Sequence, residues 1–180
     1  IDTKVEINKS KFETSFAECF DLYFTSTKNA RIHAKLIQPK QQQSPTPAVI
    51  MFHGYTGDSG DWSEKLAFAA EGFTVAALDC RGQGGESQAV GGMVGGTMRG
   101  HIIRGLEGSP DDMLFTQIFL DTVLLTKTIM DMPTVNSERI GVTGSSQGGG
   151  LSLACASLVP EVKLVAPVYP FLSDYKRVWE

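Results

Sequence analysis

The chain has 180 residues, of which 42% are hydrophobic, 20% charged and 9% aromatic, a mixture that supplies one apolar core and excludes disordered and collagen-like classes. No run approaches the roughly 18 apolar residues needed to cross a bilayer. The amino end, IDTKVEINKSKFE, lacks the apolar stretch of a secretory signal, so a soluble protein with no membrane partner is expected. A formal net charge of -4 gives no basic field for phosphate backbones, which argues against nucleic acid and for a small or neutral ligand.

Residues 17–25 (AECFDLYFT) and 31–37 (RIHAKLI) are strand-like runs separated by polar residues, which predicts an antiparallel hairpin. The segment QPKQQQSPTP carries three of the eight prolines and reads as an exposed connection, not a domain boundary, so residues 1–180 are taken as a single domain. From Ala48 onward the chain has short continuous apolar runs, AVIMFH, FTVAAL, RIGVTG and KLVAPVYP, each suited to a parallel strand buried on both faces. Helix-like segments lie between them at Trp62 to Glu71, about Asp111 to Met130, and Gly148 to Leu158. In the long one, Leu114, Ile118, Asp121 or Val123, and Leu125 form a rough apolar stripe, and Asp111 and Asp112 after Pro110 suit a helix amino end. The alternation predicts an α/β fold, a mostly parallel sheet with helices on both faces.

Cys19, Cys80 and Cys155 are far apart and form no Cys-x-x-Cys or Cys/His cluster. They fit neither a disulfide framework nor a zinc site, no metal is expected, and free buried thiols favour a reducing, cytoplasmic compartment. The glycine-rich stretch from Gly82 to Gly108 lacks the Gly-Lys-Ser/Thr ending of a P-loop and is not set between strand and helix. It is predicted to be a long surface loop.

The most informative segment is RIGVTGSSQGGG, Arg139 to Gly150. An apolar strand ends in Gly144-Ser145-Ser146-Gln147-Gly148 and a helix-like stretch follows at once, the setting of a Gly-x-Ser-x-Gly nucleophile elbow. Ser146 is the predicted nucleophile; Ser145, the adjacent rival, lacks glycines at both flanking motif positions and takes a supporting role. Phe52-His53-Gly54-Tyr55, at the end of AVIMFH, stands where α/β hydrolases place the second oxyanion donor. The backbone N–H groups of Tyr55 and Gln147 are therefore the predicted oxyanion hole. His53 is read as a brace for its loop, not a general base, and His33 as a structural or surface imidazole. His101, within the glycine-rich loop, is expected to be exposed. Asp79 is expected to hold the Arg81-Gly82-Gln83 turn; because it precedes the serine it is not taken as the triad acid.

In this fold the chain order is Ser, then Asp or Glu, then His, yet after Ser146 the sequence offers Glu161, Asp174 and Glu180 and no histidine. The catalytic Asp and His are expected beyond Glu180, together with carboxyl-terminal strands of the sheet. The chain then reads as an incomplete α/β-hydrolase domain, the amino-terminal portion of a longer enzyme.

With these motifs in place, the chain resembles the carbohydrate esterase family that contains acetyl xylan esterases and cephalosporin C deacetylases. The matching segments are FHGYTGDSGDW, ALDCRGQGGESQ, MRGHIIRG, GSSQGG and YPFLSDY, with the Arg81-Gly82-Gln83 triplet beside Gly-x-Ser-Gln-Gly as the signature. The resemblance implies a serine esterase with no cofactor, intracellular and hexameric, that removes acetyl groups from xylo-oligosaccharides and small esters. The signature pair argues against two rivals, a peptidase and a dienelactone-hydrolase-like enzyme. The intact Ser146, Gly144, Gly148 and His-Gly-Tyr loop argue against a non-catalytic module that binds a sugar or a partner chain.

Overall fold

A computed structural model describes residues 3–89, 94–97 and 101–171. Its strands are β1 (Glu6–Glu13), β2 (Ala17–Thr25), β3 (Arg31–Pro39), β4 (Thr46–Phe52), β5 (Thr74–Leu78), β6 (Val135–Ser145) and β7 (Leu164–Val168). They form one seven-stranded sheet in the order β1-β2-β3-β5-β4-β6-β7. The predicted hairpin is present as β2 and β3, antiparallel over Ala17 to Thr25. β3 also meets β5 antiparallel, whereas β5, β4, β6 and β7 run parallel.

Alternation along the strands assigns side chains to the two faces. In β2, Ala17 and Cys19 lie on one face and join Ile37, Ala69 and Val75; the opposite parity, Leu22 and Phe24, enters the larger core on the other face. That larger core takes Ile50, Phe52, Ala76, Leu78, Ile140 and Val142 from the sheet. Helices α2 (Leu114–Met130) and α3 (Gln147–Leu158) cover it with Leu114, Ile118, Leu125, Ile129, Leu151 and Cys155. Helix α1 (Leu66–Ala70) lies on the opposite side, where Ala69 joins the smaller cluster. The three cysteines are free and buried.

Several boundaries differ from the sequence reading. β1 was not anticipated, because EINKSKFE offers little apolar alternation; it is an edge strand with a register irregularity between Lys9 and Glu13. The proline-rich connection shrinks to residues 40–45, since Thr46 and Pro47 already belong to β4. The segment Trp62 to Glu71 is a 3-10 turn, Trp62–Lys65, joined directly to the single turn and a half of α1. Asp111 and Asp112 do not open α2: they sit in a 3-10 turn whose first N–H groups are capped by Ser109, and α2 starts at Leu114. Strand β7 departs from the expected burial on both faces, with Leu164 73% exposed and Val168 45% exposed.

Candidate active site

The turn from β6 into α3 holds Ser146 at φ 55 and ψ -118, a backbone region costing a non-glycine residue about 1–3 kcal/mol and retained only where the surroundings over-determine it. The surroundings here are specific. The Ser146 N–H donates to Val168 O at 2.9 Å, and Ser146 O accepts from Gly150 N–H at 3.1 Å and Phe171 N–H at 2.9 Å. A Cβ on Gly144 would come within 2.3 Å of Phe52 O, and one on Gly148 within 2.0 Å of the same oxygen. Both motif glycines are therefore required by the close approach of β4. Ser146 itself is exposed. Ser145, the last residue of β6, pairs in register with Val168 and lines a cavity of about 400 Å³ with Phe52, His53 and Gly54.

The loop after β4 reaches the same place: a Cβ on Gly54 would lie 4.0 Å from the Ser146 Cβ. Among the described residues, the N–H groups of Tyr55 and Gln147 have no hydrogen-bond acceptor. Gln147 opens α3, so no carbonyl one helical turn earlier is available to its N–H. One such N–H belongs to the residue after Ser146 and the other to the residue after Gly54, whose own position is beside Ser146; paired donors of this kind can bind a developing oxyanion.

Four contacts stitch the β4 loop to the segment after β5. Cys80 N–H donates to His53 Nε2 at 2.9 Å; Thr56 N–H donates to Gln83 Oε1 at 3.0 Å. Gly84 N–H donates to Gly57 O at 2.9 Å, and Ser59 N–H donates to Asp79 Oδ1 at 2.6 Å. Because His53 Nε2 accepts, its hydrogen is on Nδ1, which donates to Gly54 O at 2.7 Å. Burial lowers the His53 pKa, favouring this neutral form. With both ring nitrogens engaged, His53 braces its loop and has no nitrogen free to take a proton from a serine.

Asp79 does more than the sequence suggested, and at a different place. It holds Ser59 and, through Oδ2, the Glu86 N–H at 2.9 Å, not the Arg81-Gly82-Gln83 turn. Oδ2 also lies 2.6 Å from His33 Nδ1, and His33 Nε2 lies 3.1 Å from Asp21 Oδ1. Burial opposes ionisation of both groups, but the His33 hydrogen bond and the two N–H donors hold the Asp79 carboxyl well below the usual range. Asp79 and Asp21 likewise outweigh burial and raise the His33 pKa.

Two features escaped the sequence reading. His101 is buried, 2% exposed, with its ring 6.3 Å from that of Tyr55; local composition suggests exposure, but the His101 ring lies so near Gly82 that a Cβ there would come within 3.0 Å of it. Arg81 is fully buried. Its guanidinium donates twice to Asp121 and once to Gln117 Oε1 at 2.7 Å, and it also reaches Ser26 and Thr27. The available signal was Asp121 itself, an acid on the apolar stripe of a helix. Among the described residues no group of His, Cys, Asp or Glu is disposed to hold a metal, and no helix is long and apolar enough to cross a membrane.

A mostly parallel sheet flanked by helices, with a serine held at positive φ on a strand-to-helix turn, defines the α/β-hydrolase fold. The likeness to a hyperthermophilic esterase from Pyrobaculum calidifontis (20% identity, TM-score 0.60, 84% of this chain and 45% of that one) shows the fold alone. A family model described as acetyl xylan esterase (AXE1) matches residues 1–180, and the chain belongs to that family. It is 60% identical to acetyl xylan esterase 1 from Thermoanaerobacterium sp. JW/SL YS485, covering 99% of this chain with a TM-score of 0.93. With the acetyl xylan esterase from Paenibacillus sp. R4 the identity is 30% over 97% of this chain, with a TM-score of 0.88. The chain spans 56% of the length of each of these two structures.

Proposed function

We propose that this chain carries the nucleophile and oxyanion hole of a serine esterase that removes acetyl groups from acetylated xylo-oligosaccharides and from small acetyl esters such as cephalosporin C. Ser146 Oγ attacks the acetyl carbonyl, and the Tyr55 and Gln147 N–H groups hold the resulting oxyanion. The alcohol departs, leaving acetyl-Ser146, which water then hydrolyses. The single observation that carries the reading is a positive-φ serine at the β6–α3 turn, close to two N–H donors that have no acceptor among the described residues. Family membership supports the acetyl specificity.

General base and acid come from an Asp–His pair outside residues 1–180. His53 is engaged at both nitrogens, and residues 147–180 contain no histidine. In this reading residues 1–180 are an incomplete domain of a longer, cytoplasmic, hexameric enzyme, for which the family resemblance is the support. The test is labelling of the whole protein by a sulfonyl fluoride, with acetate release from acetylated xylobiose. Label on Ser146 and loss of release in Ser146→Ala are expected. Label on Ser145, or acetate release by Ser146→Ala, overturns the assignment, and activity confined to peptides overturns the substrate class.

A further inference from the structure

Gln83 and Gln147 are both fully buried and face each other as a reciprocal amide pair. Gln83 Nε2 donates to Gln147 Oε1 at 2.9 Å, and Gln147 Nε2 donates to Gln83 Oε1 at 3.1 Å. Gln83 Oε1 has a second donor, the Thr56 N–H at 3.0 Å. An amide oxygen offers two lone pairs, so this one is fully used. The Thr56 contact also fixes the orientation of the amide, since a flipped Gln83 would set its NH2 against an N–H. Gln147 Nε2 further approaches His53 O at 3.4 Å.

Thr56 is a β-branched residue at φ 70, in a turn closed by Gly57 N–H to Gly54 O at 3.1 Å. Glycine usually supplies a positive φ in a turn, and the strain persists only if something holds it. The hydrogen bond to Gln83 does so, one residue from Tyr55. The same amide grips the side chain of Gln147, whose own N–H is the other donor beside Ser146. Gln83 can serve both because its neighbours in the triplet face elsewhere. Arg81 is anchored to Asp121 and Gln117 of α2, and Gly82 turns the chain at φ 65, where a Cβ would meet Ala89 Cβ at 2.8 Å.

We propose that Gln83 is a positioning residue of the oxyanion hole, its one side-chain amide setting the relative placement of the Tyr55 and Gln147 N–H donors. The inference rests on the reading of Ser146 as nucleophile and names what holds the rest of that site in place. Loss of the amide leaves the serine intact and displaces the donors, so the penalty falls on the transition state more than on substrate binding.

The experiment measures p-nitrophenyl acetate kinetics of the whole protein containing this chain, with three substitutions. Gln83→Met should lower kcat about 10- to 100-fold, the scale of a misplaced or lost oxyanion donor, with KM changed less than about threefold. It should weaken inhibition by phenylboronic acid, which forms a tetrahedral anion on the serine, by the same factor. Gln83→Glu supplies a readout that a merely structural role would not move. A protonated Glu has one O–H donor and one carbonyl acceptor and reproduces the amide pair, whereas the ionised form cannot donate. Its kcat relative to wild type should therefore fall as pH rises. Wild-type kcat in Gln83→Met overturns the proposal; if that variant does not fold, a Gln83→Glu ratio independent of pH overturns it. Ser146→Ala separates the two failures: an active Ser146→Ala removes the nucleophile reading itself, while an inactive one with an unimpaired Gln83→Met removes only the role of Gln83.

Discussion

Side-chain volume at single positions decides whether the serine turn can exist. Gly148→Ala would place a Cβ 2.0 Å from Phe52 O, a backbone atom that cannot step aside, whereas Gly72, at φ 86, has nothing within 4 Å. Gly72→Ala should cost only the backbone strain of about 1–2 kcal/mol and leave turnover unchanged. Gly148→Ala should cost more and also depress kcat by moving Gln147; denaturant midpoints and p-nitrophenyl acetate turnover of the two variants check this. Gly144 and Gly148 are legible in the sequence because the motif needs them for a steric reason that spacing records. The same holds for His53, whose place beside Gly54 at a strand end marked a brace. His101 is the exception: a histidine among glycines looks exposed, and its burial against Gly82 is a long-range contact that local composition does not encode.

Beyond the sheet ladders and the apolar core, the short segment after β5 ties several elements together through its side chains. From Asp79 to Gln83 the chain sends Asp79 to β3 and the β4 loop, Arg81 to α2, and Gln83 to the start of α3. Arg81 and Asp121 are both 0% exposed. Breaking one partner of such a pair leaves a buried charge and typically costs about 3–5 kcal/mol, whereas replacing both by apolar groups is often neutral. Asp121→Leu should therefore lower the denaturant midpoint sharply, and Arg81→Met with Asp121→Leu should recover most of the loss. Equal losses in single and double variants would show that the pair is not what ties α2 to β5. Periodicity located α2 because an apolar stripe repeats every three to four residues. It could not pair Asp121 with an arginine forty positions earlier, a contact that depends on how the sheet is ordered.

At the scale of the whole molecule, two histidines, His53 half-buried and His33 buried, tilt stability in opposite directions with pH. The His53 pKa is lowered from 6.5, mainly by burial, so its contribution is complete above that pH and erodes as pH falls through the lowered value. His33 has its pKa raised from 6.5 because Asp79 and Asp21 outweigh burial. Its contribution is complete below pH 6.5 and is lost as pH rises through the raised value. Midpoints of chemical unfolding across pH should show His53→Gln flattening the acid side of the profile and His33→Gln the alkaline side; the same slope changes from both would contradict the assignment. Of the architecture, the parallel run and the antiparallel start were readable from continuous and alternating apolar segments. The insertion of β5 between β3 and β4 was not, since strand order is a property of long-range pairing and no local pattern records it.

The approach of Phe52 O to Gly144 and Gly148 also bears on folding. β4 and β6 are neighbours in the sheet, with Phe52 opposite Gly144, although β5 and α2 separate them along the chain. If β6 slipped by one residue, Thr143 or Ser145 would stand opposite that carbonyl, and the space required there admits no Cβ. A slip would also turn every side chain of β6 to the wrong face. Gly144 thus also favours the observed strand alignment: a β6 displaced by one residue would set a Cβ against the Phe52 carbonyl, so the close approach that admits the serine turn is at the same time a check on register.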